Sequence, residues 1–191
     1  LIEDYTLTTN KILAKVIVDH NSPFLKTIII NKGSADGIKI GTNIYDKNYL
    51  IGRIIEVNFK SSRVLLLSDL NSSVPISIIP GNIQAIVMGN GNNAGEIKYI
   101  KDNLIEDIDN KSIAYTSGAG SIFKSGIPVG RLGFNNNNLL VNFYSDFTQL
   151  KYVFAEIEQE KNELKVDDSD TLEKNNTEKI KLNILNDEIG I

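Results

Sequence analysis

The sequence predicts an all-β chain, and three observations carry that expectation. Short runs rich in Val, Ile, Leu and Tyr recur along residues 11–157. Clusters of Gly, Asn, Asp, Ser and Pro separate them, residues that tolerate positive φ or hydrogen-bond their own backbone. Nothing between the runs repeats at the 3.6-residue period of an amphipathic helix, which favours a sandwich or barrel over βαβ units. The chain has 191 residues, 41% hydrophobic and 23% charged. That is enough for one domain or two small ones, with a sizeable core.

The first run is Ala14–Val18, followed by a turn at His20–Asn21–Ser22–Pro23. Thr27–Ile30 comes next, then a turn at Asp36–Gly37, then Leu50–Val57. Arg63–Leu67 holds Val64–Leu67 without alternation, as a strand buried on both faces does. Asp69, Asn71 and Ser72 form a turn before Val74–Ile79. Pro80–Gly81–Asn82 separates that run from Gln84–Met88, and Gly89–Asn92 turns the chain toward Ile97–Ile100. Ile113–Thr116 ends at Ser117–Gly118. Val129–Phe134 and Leu139–Phe143 flank an asparagine-rich hairpin at Asn135–Asn138, and Tyr152–Ile157 closes the series. Leu1–Asn10 reads as the end of a longer helix. The residues beyond 158 are polar and are expected to be largely disordered.

Two internal echoes suggest a pair of related barrels. Ile51–Gly52–Arg53–Ile54 resembles Val129–Gly130–Arg131–Leu132, and Gly37–Gly41 (GIKIG) resembles Gly126–Gly130 (GIPVG). Glycines at such places let one backbone approach another or bulge at a barrel corner. The turn cluster at Pro80–Gly81 marks the expected boundary.

Composition excludes several chemistries. There is no cysteine, hence no disulfide, zinc-thiolate site or cysteine nucleophile. The lone histidine is His20. The net charge is −4, but eleven acidic residues and five lysines fall within 156–191, a segment of −6 on a body of +2. Such a body exerts little pull on nucleic acid, and aromatic residues are sparse around Lys47, Arg53, Lys60 and Arg63. Arg53 and Arg131 are expected on strands, bracing loops. Gly89–Asn90–Gly91 lacks the strand–loop–helix setting of a phosphate loop and reads as a hairpin. Asp102, Glu106, Asp107 and Asp109 lack the spacing of a calcium loop and read as a solvated segment. No stretch approaches the roughly 18 apolar residues of a membrane helix.

Taken together, NKGSADGIKIGTNIY at Asn31–Tyr45, LIGRIIEV at Leu50–Val57, SSRVLLLSDLNSSVPI at Ser61–Ile76, GNG at Gly89–Gly91 and TSGAGSIFKSGIPVGRL at Thr116–Leu132 form an ordered set. That set resembles the MreC family, the bacterial rod shape-determining proteins, over roughly residues 11–157. The resemblance implies two small six-stranded barrels. The first spans 11–80 and is completed by a return strand within 147–158; the second spans 81–146. It implies that residues 1–10 are the end of a coiled coil, through which the protein forms a homodimer. It implies a single-pass inner-membrane anchor before Leu1, with this region in the periplasm, so that a chain opening on Leu1 is a fragment or processed product. The acidic tail, 159–191, is not inherited from the family.

The same resemblance implies a scaffold without catalytic, cofactor or metal residues and without nucleic acid. It would connect MreB and MreD to peptidoglycan synthases, chiefly the class B penicillin-binding transpeptidase that pairs with RodA. Gly33, Gly37, Gly41, Gly118, Gly126 and Gly130 are the expected structural turn glycines. Ile122 and Phe123 lie in a glycine-flanked loop. They either fold back as a barrel plug, the favoured reading, or meet a partner. The double barrel also resembles chymotrypsin-like proteases. His20 would then be the base and Ser117–Ser121 the nucleophile loop, but the Asp-Ser-Gly context is missing. An exposed turn histidine and a tight turn are the simpler expectation. An OB-like nucleic-acid module is the remaining alternative.

Overall fold

In a computed structural model of the chain, residues 10–21, 25–100, 108–135 and 138–157 are described. The expected helical stub up to Thr9, the acidic tail and most of the Asp102–Asp109 stretch lie outside them. Twelve strands make two closed antiparallel barrels. The first holds β1 (Asn10–Asn21), β2 (Lys26–Ile30), β3 (Asn43–Asp46), β4 (Tyr49–Val57), β5 (Ser62–Leu66) and β12 (Tyr152–Ile157). The second holds β6 (Ser73–Ile79), β7 (Ile83–Gly89), β8 (Ala94–Lys98), β9 (Ile113–Thr116), β10 (Pro128–Asn135) and β11 (Asn138–Phe143). Among the described residues no helix is long and apolar enough to cross a membrane.

β-branched side chains form these strands because they pack well on a pleated, buried surface. Ile28, Ile30, Ile44, Ile54 and Val64 are fully buried in the first barrel, and Val74, Ile76, Ile78 and Val87 in the second. Each such side chain contributes roughly 1.5–3 kcal/mol by leaving water. Leu50, Ile51 and Gly52 are buried in succession, so β4 is covered on both faces. Its second cover is β10, through which the barrels touch.

Read from β12, the first barrel runs β12, β1, β2, β5, β4, β3 around its circumference. The second runs β6, β7, β8, β11, β10, β9. The order is the same, with β4 equivalent to β10 and β5 to β11. The Gly-Arg echo thus has a structural cause. Gly52, Arg53 and Ile54 pair with Leu66, Leu65 and Val64; Gly130, Arg131 and Leu132 pair with Phe143, Asn142 and Val141. A Cβ on Gly52 would lie 2.2 Å from the Leu65 carbonyl oxygen, and one on Gly130 would lie 2.3 Å from that of Asn142. The GIKIG echo has no such cause: Gly37–Gly41 leads into β3, whereas Gly126–Gly130 leads into β10, the equivalent of β4.

Three expectations need correction. The passage between barrels is not at Pro80–Gly81, which sits in the turn between β6 and β7 of the second barrel. β6 pairs with β7 and β9, so the chain crosses at residues 67–72. Asp69 ties that crossing down. Fully buried, it accepts the Lys26 N–H at 2.6 Å and the Asn71 N–H at 2.7 Å. Second, Asn10, His20 and Asn21 are strand, pairing with Ile157, Thr27 and Lys26; the cross-strand ladder extends β1 into the first two residues of the expected turn. Third, β8 lies at Ala94–Lys98 instead of 97–100, and β3 had no counterpart among the expected runs.

Gly52→Ala and Gly130→Ala should each lower unfolding stability by about 2 kcal/mol or more, because backbone must move to admit the methyl group. Gly41 has φ +88 with nothing within 4 Å of its Cβ position, so Gly41→Ala should cost only about 1 kcal/mol, the left-handed penalty. Urea unfolding midpoints for the three variants test this ranking, and equal losses would contradict it.

Candidate interface in the cleft between the barrels

A cleft of about 690 Å³ opens between the barrels. The segment Gly37–Asn43, with Arg53 of β4, forms one wall; the loop Gly118–Ser125 forms the other; Glu156 of β12 also lines it. Local turn chemistry holds both walls. On the first, the Ser34 and Ala35 N–H groups donate to the Asn58 and Phe59 carbonyls. A Cβ on Gly33 would sit 2.2 Å from Asn58 O, so this approach requires glycine. The Asp36 carboxylate accepts Lys32 Nζ at 2.7 Å and the Gly33 N–H at 3.0 Å. Those two donors, Lys32 first, hold its carboxyl below the usual range. On the second wall, buried Thr116 donates its hydroxyl to the Lys124 carbonyl and accepts the Ile127 N–H at 2.9 Å. Gly37, Gly41, Gly118 and Gly126 all have left-handed φ, while Gly33 and Gly130 are sites of close backbone approach.

An ionic clasp crosses the cleft. Glu156, 7% exposed, accepts the Tyr45 hydroxyl at 2.6 Å and also accepts Lys124 Nζ from the opposite barrel. Lys11 Nζ lies 4.2 Å from the Tyr45 ring centroid, a cation–π contact. Burial pushes the Glu156 carboxyl up, but Lys124 and Tyr45 together hold it below its usual range. Burial, and then the Glu156 carboxylate, push the Tyr45 phenol well up. The pair is therefore carboxylate and protonated phenol, suited to joining the barrels and unsuited to proton abstraction by Tyr45.

The structure separates the two candidate loop residues. Phe123 is 4% exposed and belongs to the core, whereas Ile122 is 42% exposed. Phe123 is thus a plug and unavailable to a partner. Across the cleft stands Ile40, 71% exposed, which the sequence reading did not single out. No sequence signal marked it, since isoleucines two apart can both be buried, as Ile28 and Ile30 are, whereas here Ile38 is buried and Ile40 is not.

Arg53 is also corrected. It braces no loop: the residue is half-buried, and its guanidinium has no hydrogen bond or ion pair among the described residues. Asn43 stands opposite it in the β3–β4 ladder. Asn43 is 8% exposed, and its Oδ1 has no hydrogen-bond partner among the described residues. Such an orphaned acceptor costs about 1–3 kcal/mol. As for the protease arrangement, His20 lies on β1 of the first barrel, and Ser117 accepts the Ala119 N–H at 3.3 Å in the second. Among the described residues no three His, Cys, Asp or Glu side chains group to hold a metal ion.

Comparisons with known proteins agree with this architecture. The family model for the barrel core of the rod shape-determining protein MreC matches residues 16–155. The cell shape-determining protein MreC of Caulobacter vibrioides is 34% identical over 117 residues, 61% of this chain and 33% of that protein. The chain thus spans about a third of the length of that relative. The crystal structure of MreC from Pseudomonas aeruginosa superposes with a TM-score of 0.70 at 27% identity, covering 76% of this chain and 98% of that one. A complex between the penicillin-binding protein PBP2 and MreC from Helicobacter pylori contains the same fold, with a TM-score of 0.56 at 13% identity, covering 79% and 99%.

Two outcomes follow from the site. Phe123→Ala should destabilise by about 3–5 kcal/mol through the cavity it leaves, and Ile122→Ser by no more than roughly 0.5 kcal/mol; denaturant titration checks the contrast. Because Glu156 has a depressed folded-state pKa, its ionised form stabilises the fold above its ordinary value of 4.5. The thermal-stability gap between the native chain and Glu156→Gln should be complete above that pH and close as pH falls through the lowered value. A gap that widens on acidification would contradict the clasp.

Proposed function

The chain belongs to the MreC family of rod shape-determining proteins, and from that premise we propose that it is a non-enzymatic periplasmic scaffold of the cell-elongation machinery. The observation that carries the reading is the family match across both barrels, joined to a cleft whose rim exposes Ile40 and Ile122. The Helicobacter pylori homologue assembled with a penicillin-binding protein supports a penicillin-binding protein as the partner, which this reading takes to be the class B transpeptidase paired with RodA. In the full-length protein an upstream coiled coil would form the homodimer, and an inner-membrane anchor would place the barrels beside MreD, with MreB on the cytoplasmic side. The scaffold acts by differential affinity: binding the active arrangement of the synthase more tightly shifts the synthase toward it, with no chemistry on the barrels.

The test is affinity capture from detergent-solubilised inner membranes with the full chain as bait. The class B transpeptidase should be recovered, and Ile122→Glu should reduce its recovery about tenfold, equivalent to about 1.4 kcal/mol. Failure to recover any synthase would overturn the scaffold reading. Full recovery by Ile122→Glu would remove the cleft rim from the contact.

A further inference from the structure

We propose that the cleft between the barrels is a docking site for an extended acidic–apolar peptide segment, held by Arg53, Asn43 and the facing Ile40 and Ile122 side chains. The inference deepens the scaffold reading by naming the chemistry that the cleft binds.

Three unmatched features point to one ligand. Arg53 is a half-buried guanidinium in the cleft wall, without an anion among the described residues. A guanidinium fork matches a carboxylate in two parallel hydrogen bonds. Directly across the ladder, Asn43 offers a buried amide oxygen with no donor. Opposed residues in an antiparallel ladder are neighbours on one face, so a carboxylate acceptor and an N–H donor are wanted side by side. Ile40 and Ile122 then stand exposed on the two walls of the same cleft, a setting for one apolar side chain. A peptide carrying Glu or Asp beside Leu or Ile supplies all three: the carboxylate to Arg53, a backbone N–H to Asn43 Oδ1 and the apolar group between the isoleucines.

Charge agrees. Among the described residues the carboxylate lining the cleft is Glu156, and it is engaged by Lys124 and Tyr45. The guanidinium of Arg53 lines it without an anion among the described residues, so an acidic ligand is favoured. The volume falls within the roughly 300–1,000 Å³ of ligand clefts. Strand addition is not the mode, since β3 is already paired on both edges, with β12 and β4. Recognition must come from side chains. A nucleic-acid strand fits poorly, because the aromatic ring in the lining, Phe123, is buried in the core and offers no stacking face.

The test uses the full chain and a fluorescein-labelled, C-terminally amidated peptide, Gly-Ser-Glu-Leu-Ser-Gly, in fluorescence anisotropy. Saturable binding is expected. Replacing the peptide's Glu by Gln, or its Leu by Ser, should weaken it at least tenfold. Arg53→Gln and Ile40→Ser should do the same with unchanged thermal unfolding midpoints, and Arg53→Lys should fall between. Equal binding of all three peptides would overturn the proposal, as would unchanged affinity in Arg53→Gln. Sodium sulfate that displaces the peptide while the Leu-to-Ser peptide binds equally well would show a bare anion site and would also overturn it. Failure here with the transpeptidase still captured would discard the peptide site and leave the scaffold reading standing. Peptide binding without capture would do the reverse.

Discussion

The first barrel, and the union of the two barrels into one body, depends on one strand returning. β12 closes the first barrel by pairing with β1 on one side and β3 on the other, yet the whole second barrel precedes it in the chain. The first barrel is therefore incomplete until the second has been traversed. The ladder from Asn10↔Ile157 to Lys15↔Tyr152 joins residues at nearly opposite ends of the described chain. Pairings of such separation are slow to form, because loop-closure entropy is lost before the contacts are gained. They also bind the barrels into one unit, with β4 against β10 at the seam.

The seam explains the cleft. A close backbone approach at Gly52 and Gly130 lets each barrel close tightly where the two meet, and buried Asp69 secures the crossing between them. What remains open is the wedge that Glu156 and Lys124 span. An ion pair in which one partner is buried is weak evidence for stability, since desolvation offsets much of its attraction. Its better-supported role is to select one arrangement among near alternatives. Here Lys124 and Glu156 come from opposite barrels, so the pair links the two walls that carry Ile40 and Ile122.

The strands were legible because β-branched runs between turn clusters have few other ways to fold. Ile113–Thr116 and Tyr152–Ile157 coincide with β9 and β12 to the residue. β3 was not legible: Asn43 and Asp46 carry no strand signal, and neighbours on both sides impose the conformation. The barrel boundary was misplaced for a related reason. Pro80–Gly81–Asn82 and Asp69–Asn71–Ser72 look alike as turn clusters, and only the burial of Asp69 distinguishes a hairpin from a crossing. Within the cleft, Ile122 and Phe123 could not be told apart, because a loop has no period to assign inside and outside. Arg53 looked like a brace since its sequence neighbours do not reveal that the carboxylate of the cleft beside it, Glu156, is taken by Lys124 and Tyr45.

The neighbouring positions of Asn10 and Ile157 have a mechanical meaning. A tether attached through β1 and another attached through β12 would pull on adjacent, antiparallel ends. Such a load opens the β1–β12 ladder one rung at a time, like a zipper, instead of shearing all rungs together. Tension applied through one of these ends alone enters the barrel as shear along that strand's two ladders, which loads many rungs together. A body built this way suits hanging from a single point, with both barrels and the wedge between them carried clear of the line of force.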